Sequence, residues 1–366
     1  MSSVLKKGMM IACVAYVMGI SAIWFFEVVA DKYCLDSFTK HVSNVFKLLC
    51  IILIPIAILQ LFGRLGFVSH SLVENITLIF SYRTVPDRIQ LISGESAQSF
   101  RYLLLFCVFL IFSHKRTSNC LIAAFFLVVT FFSGSSFSIL ILLIIGLLYF
   151  FLFVMVKMSV KVYAGFFIFL LFSYFCFQYI FLNYANDYTL KKFELITTLI
   201  SSPMAVTQIL EASSDGSSFL RIMNPVIGFI IFIDSNFIGV GANAYHVEYI
   251  NVISKYFPFA LSFDSVKDVQ SGVAYITAKS MLSKVAAEYG LIGLGIVFYM
   301  FIKSFFNVRE SCRLLPKYSM LNQVFFSTFI VLFLFTESYI YFPFYLMFAY
   351  FLIYLPKRSR LIVRGE

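Results

Sequence analysis

Residues Phe137–Val156 read FSILILLIIGLLYFFLFVMV, without one charged side chain, and Lys157 closes the run. A helix needs about 20 mostly apolar residues to cross roughly 30 Å of hydrocarbon. This stretch has that length, and it is not alone. On its N-terminal side lie Gly8–Ala30, Val45–Phe62, Phe100–Ser113 and Cys120–Phe132; on its C-terminal side lie Val162–Leu182, Val285–Phe306, Met320–Thr336 and Tyr341–Leu355. Two of these are short, but charged turns bound them. A tenth run, Phe67–Tyr82, is interrupted by Glu74 and Asn75. The pattern predicts an all-α polytopic membrane protein of nine or ten spans.

Composition agrees. Hydrophobic residues are 61% of the 366 and charged residues 13%, against roughly 45–50% and 25% in soluble domains; mean hydropathy is +0.92. A soluble core could not hide that much apolar surface. The net charge of +10 does not point to nucleic acid, because Lys and Arg collect in short turns between apolar runs and no basic stripe with stacking aromatics lies outside them. Seven cysteines and four histidines are scattered, with no Cys-x-x-Cys pair and no metal-ligand spacing, so neither a disulfide framework nor a metal site is expected. Lys6 and Lys7 precede an apolar stretch longer than a signal-peptide core with no A-x-A site after it, which predicts a first span rather than a cleaved leader.

Four basic clusters set the orientation: His114-Lys115-Arg116, Lys157 with Lys161, Lys303 to Lys317, and Lys357 to Arg364. They fall on one side if every intervening run crosses, and the positive-inside rule makes that side the cytoplasm. Nine spans put Lys6 and Lys7 outside and ten put them inside. The same alternation places residues 183–283 outside. The domain division expected is therefore 1–182 as an N-terminal transmembrane bundle, 183–283 as a large outer loop, and 284–366 as C-terminal spans and cytoplasmic residues.

A connection of about a hundred residues between spans is unusual. It holds six Lys/Arg and eight Asp/Glu and has no low-complexity stretch, so it is expected to fold and to carry the function. Within it, Pro225–Gly241 is apolar but carries Asp234 and Asn236, which suggests a helix lying on or dipping into the outer leaflet. Familiar signatures are absent: no P-loop, Gly-x-Ser-x-Gly elbow or His-Glu-x-x-His occurs. Chemistry then rests on cations and carboxylates near the outer surface. Arg221, in SSFLRIMNPVIGF, and Arg88, in PDRIQLISG, can each grip a diphosphate with a planar two-donor fork. Arg101, at the mouth of a span, suits snorkelling to the headgroups better. Lys279 can bind phosphate as a point charge. His246 and Glu248 follow the Gly239-Val-Gly241 turn, where glycine permits positive φ or close approach. Glu288, inside a span, is costly and so either functional or a cap; Gly290, Gly293 and Gly295 after it would let helices approach closely.

Taken in order, Arg221, NFIGVGANAYHVEY (236–249) and AKSMLSKVAAEYGLIGLGIVFYMF (278–301) resemble the outer loop and following span of Wzy-type O-antigen polymerases and the related ligases. That family shows an Arg, a P-L-x-G-x-G turn and an L-x-E-x-G-x-x-G segment entering the membrane. PDRIQLISG and FFSGSSFSILILLIIG (131–146) resemble its earlier loop and a Ser-led span. There are departures. Lys279-Ser280 stands where many members have His-Asn, and Ser135-Ser136 where Ser-Arg is common. Neither Arg88 nor Arg221 is followed by Gly after ten residues. The missing His disfavours the ligase branch.

The resemblance implies a GT-C-like helical fold in the bacterial inner membrane and an O-antigen polymerase. Such an enzyme joins undecaprenyl-diphosphate-linked repeat units at the periplasmic face, without cofactor or metal. Arg221, Arg88 and Lys279 would hold the leaving diphosphate. Glu248, His246 or Asp215 would take the acceptor proton, and Gly239, Gly241 and Gly290 would shape the turn. Its partners would be the lipid-linked oligosaccharide, membrane lipid and a chain-length regulator, with no nucleic acid. Two rivals stay open: an O-antigen ligase, and a lipid-linked oligosaccharide flippase or other multispan transporter.

Overall fold

A computed structural model describes residues 3–81, 89–92, 96–113, 117–131, 136–154, 216–272, 276–335 and 341–364. All regular structure among them is helical. The apolar runs become α1 (Ser3–Lys32), α2 (Leu35–Arg64), α4 (Ser96–Phe112), α5 (Thr117–Phe131) and α6 (Ser136–Tyr149); the interrupted run becomes the shorter α3 (His70–Phe80). The long connection supplies α7 (Gly216–Asp234), α8 (Tyr245–Tyr256) and α9 (Asp264–Gln270). After it come α10 (Met281–Leu314), α11 (Ser319–Phe335), α12 (Phe342–Ala349) and α13 (Leu355–Arg364). Tyr350–Tyr354 joins the last two as a π-helical turn. Among the described residues, four helical stretches are long and apolar enough to cross a membrane: Cys13–Lys32, Leu35–Arg64, Met281–Leu314 and Pro316–Phe335. The expected span Val162–Leu182 lies outside the described residues.

The chain divides into two compact units, Met1–Ala15 with Leu152–Val297 and Phe335–Ile340, and Tyr16–Phe151 with Phe298–Leu334 and Tyr341–Glu366. This differs from the expected division at 183 and 284. The long connection shares a unit with the first half of α10, so a boundary at 284 falls inside a helix.

Within the second unit, Cys50, Leu53 and Ala57 of α2 pack with Leu103, Cys107 and Leu110 of α4 and Ala123, Phe126 and Val129 of α5. Polar groups buried among apolar helices need partners, and these fix the direction of each helix. Near the start of α2, Ser43 accepts from Asn119 (3.3 Å) and Lys47 donates to Ser118 (3.0 Å), both at the start of α5. Near its end, the Gln60 amide accepts from the backbone N–H of Gln90 (3.1 Å) and Leu91 (2.8 Å) and donates to the Leu91 carbonyl and Thr77 Oγ1 (both 3.1 Å). The chain therefore leaves α2 and enters α4 at one end of the bundle. α3, whose 11 residues rise only about 16 Å, starts and finishes there. The Phe67–Tyr82 run does not traverse the bundle, because Glu74 and Asn75 shorten its apolar length below what hydrocarbon requires.

At the other end of α2, the turn after α1 is tied to the last elements of the chain. Asp31 pairs with Lys357 (2.6 Å) and Asp36 with Lys317 (2.5 Å); Tyr318 also donates to Asp36. The Tyr354 hydroxyl donates to the Tyr33 carbonyl at 3.2 Å. An aromatic cluster of Phe26, Phe38, Tyr350 and Tyr354 packs beneath these bonds. Thus the α1–α2 turn, the start of α5, Lys317 and α13 share one end, and it is the basic one.

Candidate functional site

The long connection has a hydrophobic core of its own. Phe219, Met223, Ile227 and Ile231 recur every fourth residue on α7 and present one buried stripe. Against it pack Tyr245, Tyr249, Val252 and Ile253 of α8, then Phe257, Ala260, Phe263 and Val266. Pro225 lies inside α7, where it removes a backbone donor. Beside it the fully buried Asn224 acts as a polar hub. Its carbonyl accepts from Tyr245 (3.0 Å), its Oδ1 accepts from Tyr249 (3.2 Å), and its Nδ2 donates to the Thr277 carbonyl (3.0 Å). Burial is the main cause that pushes the Tyr245 phenol well up from its ordinary value, with Tyr249 and Glu288 adding to it; burial alone raises Tyr249. Both tyrosines are neutral donors.

The expected surface helix over Pro225–Gly241 is thus placed differently. The helix begins earlier, at Gly216, and ends at Asp234, with one face in this core. Its opposite face is apolar too: Val226, Phe229 and Ile233 are exposed, as are Phe237 and Ile238 in the following turn. The sequence is apolar along Pro225–Gly241 on two faces, one buried in this core and one exposed. Lys255 pairs with Asp234 (3.3 Å) and Tyr256 donates to it (3.0 Å), a polar edge just past the apolar face.

α10 is interrupted where the connection meets it. Gly290 has φ +62° and ψ −151°, a conformation open essentially to glycine alone. In an unbroken helix Leu291 N–H would bond the Ala287 carbonyl. Instead it donates to the Phe237 carbonyl (2.9 Å), while the Ala287 and Glu288 carbonyls accept from Val240 and Gly241 N–H (both 2.9 Å). Three such bonds stitch the turn 237–241 into the gap. Gly239 has φ +87°, and a Cβ there would sit 2.6 Å from Gly290 N and 2.7 Å from the Glu288 carbonyl oxygen. A Cβ on Gly290 would run into the Phe237 and Ile238 carbonyls. The expectation that Gly290 eases helix–helix packing is therefore corrected: it breaks the helix so that another backbone can enter. Gly241, at φ +97°, has open space around it.

Two ionisable side chains line the gap. Lys284 and Glu288, one turn apart on α10, are each only 2% exposed. Asn243 links them: its N–H donates to Glu288 Oε2 (2.8 Å) and its Oδ1 accepts from Lys284 Nζ (3.3 Å). Asn243 is held at φ +60°, and Asn236, Phe237 and Lys279 also have positive φ. Non-glycine residues in this region cost of order 1 kcal/mol or more each. Backbone strain is concentrated around this junction.

The other expected site residues fall as follows. His246 is buried, and its Nδ1 accepts the Ile276 N–H at 3.1 Å, so the ring is the tautomer with its proton on Nε2. That bond makes His246 a fastener of the irregular segment leading into α10. Glu248, two residues on and half-buried, accepts from Asn251 at 3.0 Å. Lys279 is half-buried in the same leading segment. Arg221 lies on α7 one turn before Pro225. Arg88 and Asp215 lie outside the described residues. Of the three expected turn glycines, Gly239 and Gly290 come together. Sequence reasoning missed Lys284 and Asn243. The signal available was a Lys four residues before Glu288, on the same helical face, and an Asn two residues after Gly241, a residue type tolerant of left-handed φ.

Among the described residues, no three His, Cys, Asp or Glu side chains gather as a metal-donor set. No protein-family description, curated protein or solved structure matches this chain.

Proposed function

We propose that the chain is a membrane-embedded glycosyltransferase that uses a polyprenyl-diphosphate sugar donor at the outer face of a bacterial inner membrane, with a GT-C-like arrangement of spans. Within that class, the reading favoured is an O-antigen polymerase, which extends undecaprenyl-linked repeat units during lipopolysaccharide synthesis.

One observation carries the reading. The long connection has its own core, an exposed apolar face, and a backbone seam that fastens it to the interrupted helix α10 beside two buried ionisable side chains. Both substrates of such an enzyme are amphiphiles with a tail in lipid and a diphosphate at its surface, so a folded element spanning that boundary suits them. In this mechanism Arg221, Arg88 and Lys279 neutralise the departing diphosphate. Glu248 or Asp215 accepts the proton of the attacking hydroxyl. His246 does so only after giving up its bond to Ile276. From Leu291 to Arg313, α10 rises about 33 Å, one hydrocarbon thickness. In this reading the gap at Gly290 belongs at the outer membrane boundary, where the diphosphates lie. A topology of nine crossings, with Lys6 and Lys7 outside, fits this reading.

The interruption of α10 also favours a second reading, transport, because broken helices line many transporter sites. There, however, the freed carbonyls and amides hold cargo. Here the turn 237–241 occupies those of Ala287, Glu288 and Leu291. Deleting the gene in a strain that makes long-chain lipopolysaccharide separates the readings. A polymerase loss leaves core capped by a single repeat unit. Bare core would indicate a ligase or flippase, and an unchanged ladder would sink the proposal.

A further inference from the structure

The apolar sequence of α12 and the π-turn stops at Leu355, and the next nine residues, 356–364, hold Lys357, Arg358, Arg360 and Arg364 with no acid. They form α13. Leu355 and Ser359, a turn apart, are buried, whereas Arg360 is exposed and Arg358 half-buried. Lys357 and Arg360 fall on the side of the helix away from that buried stripe.

Local carboxylates do not balance these cations. Asp31 is taken by Lys357, and Asp36 by Lys317 and Tyr318. Arg358 stands beside the Tyr354 phenol. Among the described residues neither Arg358 nor Arg360 has a carboxylate partner. Lys32 and Lys40, exposed on the neighbouring α1 and α2, add to the surplus. Ile362, near the end of α13, is an exposed large aliphatic side chain at 43%. A helix whose guanidinium groups have no carboxylate partner, beside an exposed aliphatic residue at the end of an apolar bundle, has the chemistry of a membrane surface binder.

We propose that α13 and the adjacent α1–α2 turn form a binding site for anionic phospholipid headgroups. Arg358 and Arg360 grip the phosphates through parallel N–H donors, and Ile362 enters the acyl boundary. The Asp31–Lys357 ion pair ties the α1–α2 turn to α13. The topological bias of basic residues explains which side of a membrane they occupy; this site goes further and selects lipids by charge. It rests on the chain spanning a bilayer and is independent of the glycosyltransferase reading.

The test uses the full chain in nanodiscs of phosphatidylcholine with a minority of phosphatidylglycerol, and reads the lipid retained after mild detergent extraction by native mass spectrometry. The wild-type chain is expected to retain phosphatidylglycerol several-fold over its input share. The R358Q/R360Q double variant should fall to the input share, and the control K255Q/K267Q, which removes equal charge from the long connection, should not. Melting temperatures in pure phosphatidylcholine should match, showing that the fold is intact. If R358Q/R360Q is misfolded, R358K/R360K serves instead and should keep most of the enrichment. No enrichment in the wild type, equal enrichment in the Gln variant, or displacement of the lipid by free inorganic phosphate would each overturn the proposal.

Discussion

Lys284 and Glu288 show why a buried charge is informative. Taking either from water costs several kcal/mol unless polar partners compensate. The compensation here runs through Asn243, whose backbone serves the carboxylate and whose side chain serves the ammonium. Removing one member takes away a partner of the shared Asn243. Lys284→Met and Glu288→Gln are each expected to cost about 3 kcal/mol, and the double variant less than their sum. Thermal unfolding of the four proteins in detergent measures this; additive losses would mean the two residues act separately. Glu288 was visible in the sequence as an ionisable group in a span. Lys284 was not, because a Lys near a helix end ordinarily snorkels to water, and only the Asn243 turn, far away in sequence, closes it off.

At the scale of elements, the interruption in α10 and the turn 237–241 are one construction. Two glycines about fifty residues apart allow backbone to meet backbone, and the amides and carbonyls released on one side are bonded by the other. Gly290→Ala should cost at least about 2 kcal/mol, since it both forces a positive φ and drives a methyl into two carbonyls. Gly295→Ala, with open space around it, should leave the melting temperature within a degree or so. Equal effects would contradict the seam. Both glycine motifs were legible in the sequence as places of tight turn or close approach. That they approach each other was not, because backbone pairing leaves no trace in side-chain pattern. The described apolar runs were legible as helices, α5 within three residues of its run at each end, whereas α2 begins ten residues before Val45 and α10 runs eight past Phe306. α7 begins nine residues before Pro225 and ends seven before Gly241, and hydropathy alone did not separate its face buried in protein from its exposed apolar face.

For the whole molecule, the claim that organises the rest is the side on which the long connection lies. The Gln60 bonds hold Thr77 of α3 and the Gln90–Leu91 segment at one end of α2, so among the described residues α3 does not run the length of the bundle. The proposed function rests on a resemblance in the order of short motifs, and the site's buried pair came from the fold. Placing the connection outside predicts that Asp264, exposed at the start of α9, faces the periplasm. In a cysteine-free background, Asp264→Cys should react with a membrane-impermeant maleimide in intact spheroplasts as fully as after lysis. Reaction only after lysis would put residues 216–283 in the cytoplasm and contradict the account.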